Sequence, residues 1–227
     1  MRRIGRSLVL AALVATACRD GAKTEPVAVL KTEISLQEAI ALGTEAVGVQ
    51  DGAWRLTRVH SYDNDSVRSA ASGADGRRQW WIVRFAGESG ARIDAILCDG
   101  AIVAVERADR DACGAPVEAG RVKLTAARAA ERAARLGLRG GDPADEDEWV
   151  SGYNFRLERA MSAEASDRGT IVLSVIGISP SGNLAYADFD AETGDLLAAG
   201  ERTEGAGGEV RWTDFRENGS AAFGGEE

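Results

Sequence analysis

The sequence predicts an α+β fold of two tandem units, each a helix packed on a small antiparallel β-meander. Three observations carry this. Residues 170–203 read TIVLSVIGIS, PSGN, LAYADFD, AETG, DLLAAGERT, which is strand and turn in alternation, with Gly, Pro and Asn as punctuation. Residues 80–106 repeat the layout as WWIVRFA, GESG, ARIDAILC, DG, AIVAVE. Each of the two stretches follows a helix-like segment. The landmarks of the two copies (helix start, a tryptophan-led strand, the meander) stand roughly 90–95 residues apart, as an internal duplication would place them. The chain of 227 residues accommodates two such units, and its 44% apolar content is enough for packed cores.

Residues 1–17 read as a signal peptide. Arg2, Arg3 and Arg6 form a positive start, and an apolar run of 10 residues follows at 8–17. A membrane-spanning helix needs about 20, so the run fits a secretory segment. Ala15, Thr16 and Ala17 are small, and Cys18 comes next. This pattern resembles a bacterial lipobox, in which Cys18 would be lipidated and become the new amino terminus. The same residues also fit an ordinary A-x-A cleavage site that would leave Cys18 a bare thiol. With lipidation, residues 18–31 form a tether, and Arg19 after the cysteine points to the periplasmic side of the outer membrane. The expected address is therefore the bacterial cell envelope, membrane-anchored.

In the first unit, residues 32–108, Ser35 and Glu38 form a capping box. Leu36, Ala39, Ile40, Gly43, Ala46 and Val47 fall on one helical face, and Gly48 suits the end. A strand is expected over 54–62 and a long polar loop over 63–78. Trp81, Val83 and Phe85 share one strand face, and Trp80 and Ile82 the other, so neither face is expected to meet water. Asp99 and Gly100 between apolar runs predict a type I′ hairpin. A connector spans 109–121. In the second unit, residues 122–203, Thr125 caps a helix that ends near Gly137. An acidic loop at 142–148, a strand over 149–159 and a loop at 161–168 precede the meander. The tail, 204–227, is Gly-rich and acidic; 210–215 can add a short strand, and the rest is expected to be mobile.

The hairpin Ala187-Asp188-Phe189-Asp190-Ala191-Glu192-Thr193-Gly194-Asp195-Leu196-Leu197, closing a meander that follows a helix, resembles the PepSY family. The resemblance covers about 75 residues of the second unit and, more weakly, about 75 of the first. It implies a cystatin-like unit in secreted or membrane-anchored bacterial proteins, acting without catalysis by binding or restraining a protein partner, such as a peptidase. A cystatin-like carrier of a small ligand, with a pocket around Leu36, Trp81 and Phe85, is the alternative.

Charge and chemistry point the same way. The formal net charge is −9, and removal of residues 1–17 takes away three arginines and leaves −12. Such a surface repels phosphate backbones, so no nucleic-acid partner is expected. His60 is the only histidine. A triad with Asp63 or Asp65 can be drawn, but no G-x-S-x-G elbow presents a nucleophile, and no enzymatic activity, metal or cofactor is expected. A hydrolase using Glu131 or Glu158 would need them to face each other in a cleft. Asp188, Asp190 and Glu192 alternate like calcium ligands, yet Thr193 and Ala199 stand where an EF-hand loop needs Gly and an acid. Cys98 and Cys113 can close a disulfide worth ~3 kcal/mol in an oxidising compartment; otherwise Cys98 is a buried strand residue and Cys113 a loop thiol. Trp80 and Trp81 are the partner-binding candidates, because tryptophan is favoured at interface hot spots. The competing reading puts them in the core.

Overall fold

The computed structural model describes residues 32–63, 72–88, 90–109, 114–145, 148, 150–160, 169–205 and 208–215. In chain order these form β1 (Ile34–Ser35), α1 (Leu36–Gly48), β2 (Trp54–Ser61), β3 (Arg77–Arg78), β4 (Trp80–Gly87), β5 (Arg92–Cys98) and β6 (Ala101–Ala108). A short 3-10 turn at Ala119–Arg121 leads to α2 (Ala126–Arg135), β7 (Asn154–Arg159), β8 (Ile171–Ile178), β9 (Leu184–Asp190), β10 (Leu196–Glu204) and β11 (Val210–Thr213).

Local elements form where their residues demand them. The Ser35 hydroxyl accepts the Glu38 N–H at 3.3 Å, and the Glu38 carboxylate takes the Ser35 N–H at 2.7 Å. These hydrogen bonds also hold the Glu38 carboxyl below the usual carboxylate range. Leu36, Ala39, Ile40, Gly43 and Val47 are the buried stripe of α1. Thr125 caps α2 by accepting the Arg128 N–H at 3.3 Å. Asp99 and Gly100 both have positive φ, 52° and 75°, as a type I′ turn requires.

The expected pair of helix-on-meander units is overturned. One antiparallel sheet of nine strands runs in the order β11-β10-β9-β8-β7-β2-β4-β5-β6, without a break between residues 32–108 and 122–203. The seam is β2 against β7, with Arg58 opposite Glu158, Val59 opposite Leu157 and His60 opposite Arg156. The physical reason is an edge. Each meander, ended at its leading strand, would expose a row of unpaired N–H and C=O groups, and pairing the two rows removes both edges at once. Buried Val59 and Leu157, each 0% exposed, continue the core across the seam.

Both helices cover the same face. Under them lie Trp81, Val83, Phe85, Ile93, Phe155, Leu157, Leu173 and Phe189, all at most 3% exposed. A Cβ on Gly43 would stand 2.8 Å from the Val83 Cβ, so α1 reaches its position only because that residue has no side chain. No helix among the described residues covers the other face. β1 and β3 form a separate two-stranded ribbon. Among the described residues, no helix is long and apolar enough to cross a membrane.

A candidate binding face on the helix-free side of the sheet

Strand alternation aims every second residue away from the helices. Direct cross-strand pairing aligns these residues in rows. One row is Asp94, Arg84, Arg58, Glu158, Val172 and Asp190. The next is Ile96, Ile82, His60, Arg156, Ser174 and Asp188.

The first row is charged and internally paired. Arg84 grips Asp94 with two bonds, at 2.8 and 2.9 Å. Glu158 is shared by Arg58 at 2.6 Å and Arg156 at 3.1 Å. Beside these charges an aromatic group forms, with the Trp80 ring 5.7 Å from Tyr62 and Tyr62 6.4 Å from His60. His60 is half-buried. Burial first, then the positive fields of Arg84 and Arg58, push its pKa from near 6.5 down to about 4, with Asp94 acting in the opposite sense and Arg156 adding to the fall. Its Nδ1 and the Trp80 Nε1 are covered and have no hydrogen-bond partner among the described residues.

The sign of the pH effect follows. Between about 6.5 and about 4 the unfolded chain binds a proton at His60 that the native state refuses. Stability therefore falls as pH drops through that window, by up to roughly 3 kcal/mol from this group. His60→Gln is expected to flatten this part of the stability curve. Urea midpoints measured at pH 7, 5.5 and 4 for both proteins check it; parallel curves would remove His60 as the source.

Towards the β11 edge the face hollows into a cleft of about 540 Å³ lined by Arg156, Ile176, Leu184, Tyr186, Asp188 and Trp212. Tyr186 lies over Gly200, where any side chain would meet its ring at 2.9 Å. Trp212 meets Tyr186 edge-on at 5.2 Å and is 51% exposed. Asp188 sits at the cleft wall. Burial raises its carboxyl pKa, against a hydrogen bond from Ser174 and the field of Arg156. Its Oδ1 is covered and has no hydrogen-bond partner among the described residues. Burial also pushes the Tyr186 hydroxyl up, helped by Asp188 and Asp214.

No family model, curated protein or solved structure matches this chain. The PepSY resemblance thus rests on the 187–197 hairpin, whose turn is built locally. Asp190 Oδ1 accepts the N–H groups of Glu192 and Thr193 at 2.7 and 3.0 Å, and Glu192 pairs with Arg121 at 2.8 Å. Those oxygens are engaged in turn geometry and an ion pair, and only Asp188 of the three acids faces the cleft.

The residues singled out from sequence scatter. Trp81 is 0% exposed, donating its indole N–H to the carbonyls of Ile34 at 3.0 Å and Arg78 at 3.1 Å. It belongs to the core, so of the two partner-binding candidates only Trp80 reaches the helix-free face. Leu36, Trp81 and Phe85, around which a ligand pocket is expected from the sequence, are all at most 3% exposed and belong to the core cluster among the described residues. Glu131 pairs with Arg135 on the helix side, whereas Glu158 lies on the opposite face. Asp63 turns away from His60 into a network with Arg78, Ser151 and Asn154. Cys98 ends β5, half-buried. Cys18, Cys113 and Asp65 lie outside the described residues. Sequence reasoning missed Arg156, Tyr186 and Trp212. The available signal was alternation, with Leu184, Tyr186 and Asp188 interleaved among the buried Ala185, Ala187 and Phe189.

Proposed function

We propose that this chain is a non-catalytic binding module that holds a polypeptide partner against the helix-free face of its sheet. The address is the bacterial envelope, through the lipidated Cys18 read from the sequence. A peptidase or other envelope protein is the partner class that the PepSY resemblance implies. The observation that carries the reading is the state of three polar atoms on that face. His60 Nδ1, Trp80 Nε1 and Asp188 Oδ1 are shielded from water and lack hydrogen-bond partners among the described residues. A covered polar atom left unsatisfied costs about 1–3 kcal/mol. Rotation of these side chains on docking would turn the three atoms toward an incoming chain, which carries an N–H and a C=O at every residue. The aromatic groups beside these atoms suit anchoring contacts.

Photo-cross-linking in intact cells tests the face directly. A benzophenone side chain placed at Ile82 or Arg156 reports on the helix-free face, and one at Glu45 or Arg132 on the helix side. Adducts from the first pair alone are the expected result. Adducts from the helix side alone, or from neither, would overturn the assignment. A small-molecule carrier would yield no protein adduct.

A further inference from the structure

Resting on the helix-free face as the binding surface, the geometry points to the Tyr186–Trp212–Asp188 cleft as the seat of a lysine side chain of the partner. Three features converge on an ammonium group carried by an apolar stem. The walls are apolar and aromatic: Ile176, Leu184, Tyr186 and Trp212. A cation over a tyrosine or tryptophan face gains from the ring quadrupole, and the gain grows as water is excluded. Asp188 contributes a carboxylate at the cleft wall, where a hydrogen bond from Ser174 and the field of Arg156 already act on it. The cleft volume, about 540 Å³, accommodates a four-carbon stem with room for the neighbouring backbone.

Arg156 is the rival, because it could instead recruit an anion. Its Nε is directed at Glu158 at 3.1 Å, which already commits the guanidinium to a carboxylate of this chain. Around Tyr186 the carboxylates of Asp188 and Asp214 act against Arg156 alone. The chain as a whole carries −9, so its long-range field gathers cations and disperses anions. A lysine also suits the site better than an arginine. Its compact ammonium can approach Asp188 without stacking a second guanidinium against Arg156.

Titration of the full folded chain, ¹⁵N-labelled at tryptophan, with capped single residues tests this. The probes are N-acetyl-lysine methylamide, its norleucine counterpart without the charge, and its glutamate counterpart. The Trp212 indole resonance, assigned by its loss in Trp212→Phe, is the readout. Saturable shifts with the lysine probe are expected, at least tenfold weaker with norleucine. They should also weaken at least tenfold in Asp188→Asn and in Trp212→Ala, whose exposed ring can be removed without disturbing the core. Equal binding of norleucine would reduce the cleft to an apolar contact. Tighter binding of the glutamate probe would hand the site to Arg156, and no shift with any probe would abolish it. Each of these overturns the lysine seat while leaving cross-links from Ile82 and Arg156 intact, so its failure is distinct from failure of the face itself.

Discussion

Asp63→Ala is expected to lower the unfolding free energy by about 3–5 kcal/mol, the usual cost of removing one partner from a buried ion pair. Arg78 is 1% exposed, and its guanidinium meets Asp63 Oδ1 at 2.5 Å. Burial lowers the Arg78 pKa, and the fields of Asp63 and Glu33 oppose that fall. The other Asp63 oxygen accepts the Ser151 N–H at 3.0 Å and the Asn154 Nδ2–H at 2.7 Å. One carboxylate thus serves a buried cation and two donors at the entry to β7. Alanine removes this carboxylate from all three. Asn at this position keeps an acceptor but not the charge, so its loss should be smaller. Urea unfolding measures both; a change under 1 kcal/mol for alanine would show that the network is dispensable. Glu131→Ala, which breaks an exposed pair with Arg135 one helical turn away, serves as the control at within about 0.5 kcal/mol.

Trp81→Ala should cost a similar amount, about 3–5 kcal/mol, by emptying a cavity in the core and removing the indole hydrogen bond shared by two carbonyls. The ring is fully buried, stacks on Phe155 at a centroid distance of 6.3 Å, and ties the chain before α1 to the turn before β4 through Ile34 and Arg78. Phe in its place recovers part of the packing and neither hydrogen bond. The neighbouring Trp80→Ala should cost less than Trp81→Ala, because its ring is only half-buried and lies outside the core cluster, yet it should weaken partner capture. Equal destabilisation by the two alanines would contradict the division of the tandem tryptophans between core and face.

Local chemistry was legible in the sequence, and long-range pairing was not. The Ser35–Glu38 box, the Thr125 cap and the Asp99–Gly100 turn each depend on residues within four positions, and each forms where the residues stand. The two-unit reading failed at β2 and β7. A leading strand has the same composition whether it ends a small sheet or pairs with another, and the partners lie 100 residues apart. The surroundings of the second apolar face of β4 were hidden for a related reason. Ile82 and Ile176 are half-buried on a face that no helix among the described residues covers. The cleft stayed hidden because Arg156, Tyr186 and Trp212 come from three strands, and Gly200, which makes room for the Tyr186 ring, looks like any other glycine in a strand.

The seam between β2 and β7 has a kinetic consequence. Its ladder holds three register pairs, whereas β7 and β8 share six. Closing it brings together residues about 100 positions apart, with a loop entropy that the neighbouring hairpins escape. Each half can zip up from its own turns in a fast phase, and joining the halves then becomes the late event of folding.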